Sequence, residues 1–178
     1  MYTLGIDPGN YGGAVLMKSK NSSVETLDDI QLIKAINLTP ELNRNEKLPE
    51  LIQSLLDEAK EEVYIVIEKL NSPPHLGPQR AFQMGRNYER ILCLTNFHFR
   101  KLFLLTHPRQ WKRSIPEEYK KIKDTKDQVK EFLKAYPHIY NFMIADRGKV
   151  YNNGKGDAAV IAYHGMKFLQ NKDTNEVE

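Results

Sequence analysis

Met1-Tyr-Thr-Leu-Gly-Ile-Asp7 sets Tyr2, Leu4 and Ile6 in alternation with Thr3, Gly5 and Asp7, the period-2 pattern of a β-strand, here one that ends in an acid. Pro8-Gly-Asn10 breaks the strand as a turn. Gly12 to Met17 resumes an extended run, so the opening predicts an antiparallel hairpin, and Ile30 to Leu38 offers a third strand after a polar connection. Leu48, Leu51, Ile52, Leu55, Leu56 and Ala59 recur at the spacing of an amphipathic helix. Val63 to Ile67 is apolar at every position and reads as a strand covered on both faces, again ending in an acid, Glu68. A loop from Asn71 to Pro78 leads to a helix expected over Arg80 to Thr95, and Leu102 to Leu105 reads as another doubly buried strand. A short helix around Trp111 follows, then a helix with Val129, Phe132, Leu133 and Tyr136 on one side. The loop Asp146 to Gly156 precedes a last helix, Asp157 to Leu169. Antiparallel strands followed by strand–helix alternation predict an α/β fold, a mixed sheet layered between helices. With 178 residues, one domain over 1–170 and a polar, frayed tail over 171–178 are expected.

Composition narrows the class. Apolar residues make up 40% of the chain, charged residues 28%, and mean hydropathy is −0.57, values of an ordinary water-borne globular chain. Its apolar runs are too short to span a bilayer, so no membrane partner is expected. With an aspartate at position 7 and no basic run followed by an apolar one, no signal peptide is expected, and the expected setting is cytoplasmic. Cys93, the lone cysteine, cannot form an internal disulfide and is expected in the core. The net charge of +3 hides an uneven distribution: residues 1–79 carry 7 Lys/Arg against 12 Asp/Glu, whereas residues 80–167 carry 18 against 8. That asymmetry points to a polyanionic partner.

Three acids hold special places. Asp7 and Glu68 close strands and Asp157 opens a helix after a glycine-rich loop. If the first strand and the Glu68 strand are parallel neighbours joined by the Leu48–Ala59 helix, their carboxyl ends share one sheet edge, where α/β sheets place ligands. Asp157, at a helix N-terminus, can reach the same crevice. Carboxylates held close together repel one another unless a cation neutralises them. Oxygen ligands suit Mg²⁺ or Mn²⁺, and two such ions roughly 3.5–4 Å apart can drive phosphodiester hydrolysis. Zinc is disfavoured, because no Cys or His pair has ligand spacing.

Leu4-Gly-Ile-Asp-Pro-Gly9, Ile65-Val-Ile-Glu68 and Gly156-Asp-Ala-Ala-Val-Ile-Ala162 resemble the three acidic motifs of RuvC-type Holliday junction resolvases, members of the ribonuclease H-like superfamily. The likeness extends through Gly77 to Gly85, Pro108-Arg-Gln-Trp-Lys112 and Lys126 to Pro137, segments similar to those of phage-encoded and other short members. The resemblance implies a ribonuclease H-like mixed five-stranded sheet flanked by helices, a homodimer in a bacterial or phage-infected cell, and Mg²⁺-dependent cutting of branched DNA by paired nicks. On that reading Asp7, Glu68 and Asp157 are the catalytic metal ligands. Two departures stand out. The family places a fourth acid three or four residues before the last, where this chain has Asn153 and Gly154. Asn153 can offer an amide oxygen as a further ligand, and Asp146 is a second candidate. Bacterial relatives also carry a junction-inserting aromatic after the second acid. Here Lys69-Leu-Asn71 follows Glu68, leaving Leu70 and Phe82 as candidates.

Basic residues suited to tracking DNA phosphates are Arg80 and Arg86 after Glu68, then Lys112, Arg113, Lys123 and Lys126. Such contacts give affinity and register rather than sequence readout. Lys155, two before Asp157, is the candidate for the scissile phosphate. His164, seven after Asp157, is either a neighbour of the attacking water or a core histidine. Trp111 reads more readily as a core residue than as a base-stacking one. Three other functions stay open: a ribonuclease H-like enzyme on RNA:DNA hybrids, a catalytically weak junction-binding protein, and an actin-like ATPase sharing Gly5-Ile-Asp-Pro-Gly9, though those need two lobes and about twice this length.

Overall fold

Strand β1 (Tyr2–Asp7) is the middle of five strands in the order β3-β2-β1-β4-β5. The computed structural model describes residues 1–39, 47–70, 77–98, 103–144 and 150–175. The hairpin is present: β2 (Gly12–Ser19) runs antiparallel to β1, with Leu4 opposite Leu16 and Asp7 opposite Gly13. β3 (Ile30–Leu38) extends that side, with a bulge where the register shifts between Leu16 and Met17. On the other side β4 (Val63–Glu68) is parallel to β1, Ile6 lying opposite Ile67. β5 (Phe103–Thr106) is parallel to β4 and sets Thr106 opposite Glu68.

Strand alternation sends two sets of side chains into two cores. Leu4, Ile6, Leu16, Ile65 and Ile67 pack with Leu48, Ile52 and Leu55 of α1 (Lys47–Leu56) and Ile91 of α2 (Pro78–Cys93). Val15, Met17 and Val66 point the opposite way, into a core shared with residues 158–163 and Met166 of the last helix. Trp111 of α3 (Pro108–Trp111) joins that second core, as do Phe132 and Leu133 of α5 (Thr125–Lys134). Between these two helices lies α4 (Glu117–Lys120), and α6 (Pro137–Tyr140) follows them. The last helix, α7 (Asn153–Asn175), lies directly on β1. A Cβ at Gly5 would run into the Ala158 carbonyl and the Ala162 backbone, and one at Gly165 would meet Val66. Small residues on both elements let the backbones touch.

Several sequence expectations are corrected. Among the described residues β5 is an edge strand, not a doubly buried one: Leu105 is 37% exposed, and Leu102 lies outside the described residues. Cys93 is exposed. It stands two residues past Ile91, about 200° around α2 from that buried position, and its thiol donates to Glu89. The helix expected over Arg80 to Thr95 starts at Pro78 and ends as α-helix at Cys93, then continues through a π-helical turn, Leu94–His98. α7 begins at Asn153 rather than Asp157, because the Asn152 side chain accepts the Lys155 N–H at 2.8 Å and its carbonyl accepts that of Gly156. It also runs past Leu169 to Asn175, into the segment over which a polar tail was expected. Gln170 helps to seat it by accepting the Val24 N–H and donating to the Ser22 carbonyl. Among the described residues no helix is long and apolar enough to cross a membrane.

Gly5→Ala is expected to cost about 1–3 kcal/mol in urea unfolding through overpacking, and Gly5→Val more. An unchanged midpoint in both variants would contradict the direct seating of α7 on β1.

Candidate active site

Thr3 and Gly5 face α7, so Asp7, the next residue of that parity, leaves β1 on the same face. Val66 also faces α7, which puts Glu68 on that face of β4. Neighbouring strands lie about 4.8 Å apart, and the register sets both acids just beyond the Ile6–Ile67 pair. Asp157 immediately precedes Ala158, whose carbonyl abuts Gly5. Higher up, Gly154 bridges to Gly12, and a Cβ there would enter the backbone of Tyr11 and Gly12. Glycine-on-glycine contact at the mouth of the hairpin thus lowers the first turns of α7 onto the end of β1. All three predicted acids meet at one sheet edge.

Their electrostatics register that proximity. Burial pushes Asp7 up to about 6, against a hydrogen bond from the Gly9 N–H to Oδ1 at 2.9 Å. Burial, then the charge of Asp7, pushes Asp157 up to about 7, while Lys112 and Lys126 oppose the shift. Glu68 reaches about 8, chiefly by burial and then by repulsion from Asp7 and Asp157, with Lys112 and the Trp111 indole opposing. The Trp111 N–H favours the Glu68 carboxylate without closing a full hydrogen bond, and its Nε1 has no partner.

Two further polar atoms beside the acids are buried without partners. Thr106 Oγ1 belongs to the residue paired with Glu68, and Tyr151 OH lies against Gly156 within the field of Asp157. Burial drives the Tyr151 phenol far above its usual range, and its ring stacks on Tyr140 at 5.6 Å. Buried carboxyls whose pKa values are raised by one another's charge favour a nearby cation. Hard oxygen donors of this kind fit a divalent cation such as Mg²⁺. Among the described residues no three acidic, His or Cys side chains close into coordination geometry.

Of the six basic candidates, two act on the acids. Lys112 is half-buried with Nζ 5.3 Å from the Trp111 ring and within the field of both Glu68 and Asp157. Lys126 acts on Asp157 from the first turn of α5, where Asp124 caps the helix. The other four stand elsewhere. Arg80 and Arg86 are exposed on α2, Lys123 is exposed before α5, and Arg113 lines a groove of about 430 Å³ with Gln110, Ser114 and His164.

Three more expectations change. Lys155 does not present itself to a phosphate: it is 6% exposed and reaches the Ile144 carbonyl at 3.4 Å, bracing the approach to α7. Asn153 is exposed at the first residue of α7, and Gly154 has no space for a side chain, so the usual fourth acid cannot be restored there. Asp146 lies outside the described residues. His164 lies about 10 Å along α7 from Asp157 and pairs through Nδ1 with Ser114 Oγ at 3.0 Å, burial lowering its pKa. Trp111 is a core residue, 1% exposed. Sequence reading missed its role beside Glu68, and it missed Tyr151 and Thr106 altogether. The one signal for Tyr151 was a large aromatic within an otherwise Asn/Gly-rich loop.

The raised carboxyls set a pH dependence. The folded state holds protons that the unfolded chain releases near pH 4, so stability from this cluster is full below that and is lost as pH climbs through 6 to 8. Metal-free protein is therefore expected to melt at lower temperature at pH 8.5 than at pH 5. Millimolar Mg²⁺ should raise the midpoint more at the higher pH, and Glu68→Gln should flatten the slope. Calorimetry with and without chelator tests this, and equal slopes for wild type and Glu68→Gln would contradict it.

No protein-family model and no curated protein matches the sequence. Solved structures do match in shape. Thermus thermophilus RuvC in complex with Holliday junction substrate aligns with a TM-score of 0.66 at 14% identity, over 96% of each chain. Thermus thermophilus RuvC in a further structure gives 0.64 at 16% identity, over 97% of each. The yeast mitochondrial Holliday junction resolvase Ydc2 gives 0.58 at 15%, over 96% of this chain and 80% of that one. At such identities the likeness is one of fold, and the chain has the mixed five-stranded architecture of the RuvC resolvases.

Proposed function

We propose that the protein is a metal-dependent endonuclease that resolves four-way DNA junctions by paired, symmetrical nicks. The observation that carries this is the meeting of Asp7, Glu68 and Asp157 at one sheet edge, with Lys112 and Lys126 beside them. The fold shared with resolvases, one of them solved on junction DNA, supports the choice of substrate. Glu68 closes a strand rather than sitting on a helix, which argues against the alternative of an RNA:DNA-hybrid nuclease of the ribonuclease H type.

Asp7, Glu68 and Asp157 would hold two Mg²⁺ ions, with Mn²⁺ as a substitute and the Asn153 amide as a further ligand. When bound, the ions supply the charge that activates water and stabilises the departing 3′-oxygen. Hydrolysis forms a bond from a water oxygen to phosphorus and breaks the bond from phosphorus to the 3′-oxygen. The water loses a proton and the leaving oxygen gains one. Lys112 and Lys126 flank the carboxylates and hold the phosphate against them. Lys155 acts at one remove, fixing the segment that carries Asp157. Trp111, Thr106 and Tyr151 wall the site and offer polar atoms to ordered water.

Paired nicks need two copies of this site. The outer face of α2 suits a second copy of the chain: Phe82 is 71% exposed, Gly85 has open space above it, and Arg86 and Glu89 stand one turn apart. On this reading two such helices related by a two-fold axis would set Phe82 against the partner's glycine and bring opposite charges together. Phe82→Glu is expected to convert dimer to monomer in analytical ultracentrifugation, and a dimer that survives it places the interface elsewhere.

The test of function is cleavage of a four-way junction in Mg²⁺ with the nicks mapped. Wild type should cut opposite strands at symmetrical positions, and Asp7→Asn should lose at least about 10²-fold in rate. Binding without nicking by the wild type would reduce the protein to a junction-binding one. Preferential cutting of a hybrid would reassign its substrate.

A further inference from the structure

We propose that Tyr11 is a base-stacking residue of this site, its ring receiving an unpaired nucleobase of the strand that carries the scissile phosphate. The proposal rests on the junction-nuclease reading and adds a residue that the acidic motifs do not include.

Tyr11 is the second central residue of the β-turn Gly9–Gly12, closed by the Gly12 N–H to the Gly9 carbonyl at 3.1 Å. The turn grows directly from the acid site, since the Gly9 N–H also binds the Asp7 carboxylate. At 77% exposure Tyr11 is the most exposed large hydrophobic side chain among the described residues.

Its root is held firmly. The Tyr11 carbonyl lies against Gly154 of α7, and Gly12 bridges to the same glycine. On the other side Asn10 accepts a hydrogen bond at 2.9 Å from Asn87, which is 4% exposed on α2. The turn is therefore tied to β1, α2 and α7 while its tip projects a ring into solvent. Nothing in the fold calls for an aromatic here. The hairpin needs only residues that turn, and α7 meets the backbone of position 11, not its side chain. An aromatic ring on a fixed backbone has two torsions to order on binding and offers a flat face to any base, so it stacks without sequence preference. At a branch point, where pairing is interrupted, unpaired bases are cheapest to supply. Of the other aromatic or apolar candidates, Leu70 is half-buried and Phe82 lies on the outer face of α2 with Arg86 and Glu89.

Tyr11→Ala, Tyr11→Phe and wild type should be compared by single-turnover cleavage of two junctions in Mg²⁺: one fully paired, one with mismatches at the branch point. Tyr11→Ala is expected to cut the paired junction 10- to 100-fold more slowly, and the mismatched one within about threefold of wild type. Tyr11→Phe should behave as wild type on both, and all three proteins should share one melting temperature. A merely structural residue would slow both substrates alike. The proposal is overturned if Tyr11→Ala cuts the paired junction at the wild-type rate, if its loss is equal on the two junctions, or if Tyr11→Phe fails as Tyr11→Ala does. A wild-type protein that nicks neither junction overturns the nuclease reading, and the role of Tyr11 with it.

Discussion

The backbone of α7 rests on the backbone of β1, and most of the site follows from that contact. Gly5 beneath Ala158 and Ala162 fixes both the height and the rotation of the helix over the sheet. Gly154 against Gly12 fixes where the helix begins. With both set, the position of Asp157 relative to Asp7 has no freedom left except its side-chain rotamer. Parallel pairing of β1 with β4 does the same for Glu68. Three acids distant in sequence are brought together by main-chain contacts between small residues, which bend less than side-chain contacts would.

That rigidity has an electrostatic cost. Each carboxyl is pushed upward first by burial, and Glu68, with the highest pKa, carries the repulsion of both others. A chain selected for stability alone would not hold three acids in such a place or leave Thr106, Trp111 and Tyr151 with unpaired polar atoms around them. A bound cation with its hydration shell removes both penalties together, the charge repulsion and the missing hydrogen bonds. Three buried carboxyls set close together are thus a cost in stability that a divalent cation would offset.

What the sequence made legible was the part governed by period and end-chemistry. Alternation located β1, a continuous apolar run located β4, and their terminal acids located the edge of interest. Tertiary neighbours decided the rest. The apolar run around Leu104 looks like a central strand until the sheet order places it at the edge among the described residues. Cys93 looks buried until the helical rotation from Ile91 is counted. Lys155 looks like a phosphate ligand by its distance from Asp157 in sequence, yet helix geometry two residues away turns a side chain through about 200°, here toward Ile144. Asn152, read only as part of a loop, proved to be the cap that starts α7 four residues earlier than the acid.

The charge asymmetry is sharpened in the same way. A large excess of Lys and Arg over residues 80–167 suggests a broad basic surface, but among the described residues Lys112 and Lys126 are the ones whose charge acts on the acids. These two can favour ionised carboxylates and a bound phosphate at once, because both ligands are anionic and neither cation is spent in a salt bridge to the acids. Exposed charges such as Arg80, Arg86 and Lys123 act differently. Beyond a Debye length of about 8 Å at physiological salt their pull on any one phosphate is screened, so they add affinity that falls with salt and leave the chemistry to the inner pair. The basic segment therefore divides into an outer set that can gather DNA and an inner pair that can hold one phosphate against the three acids.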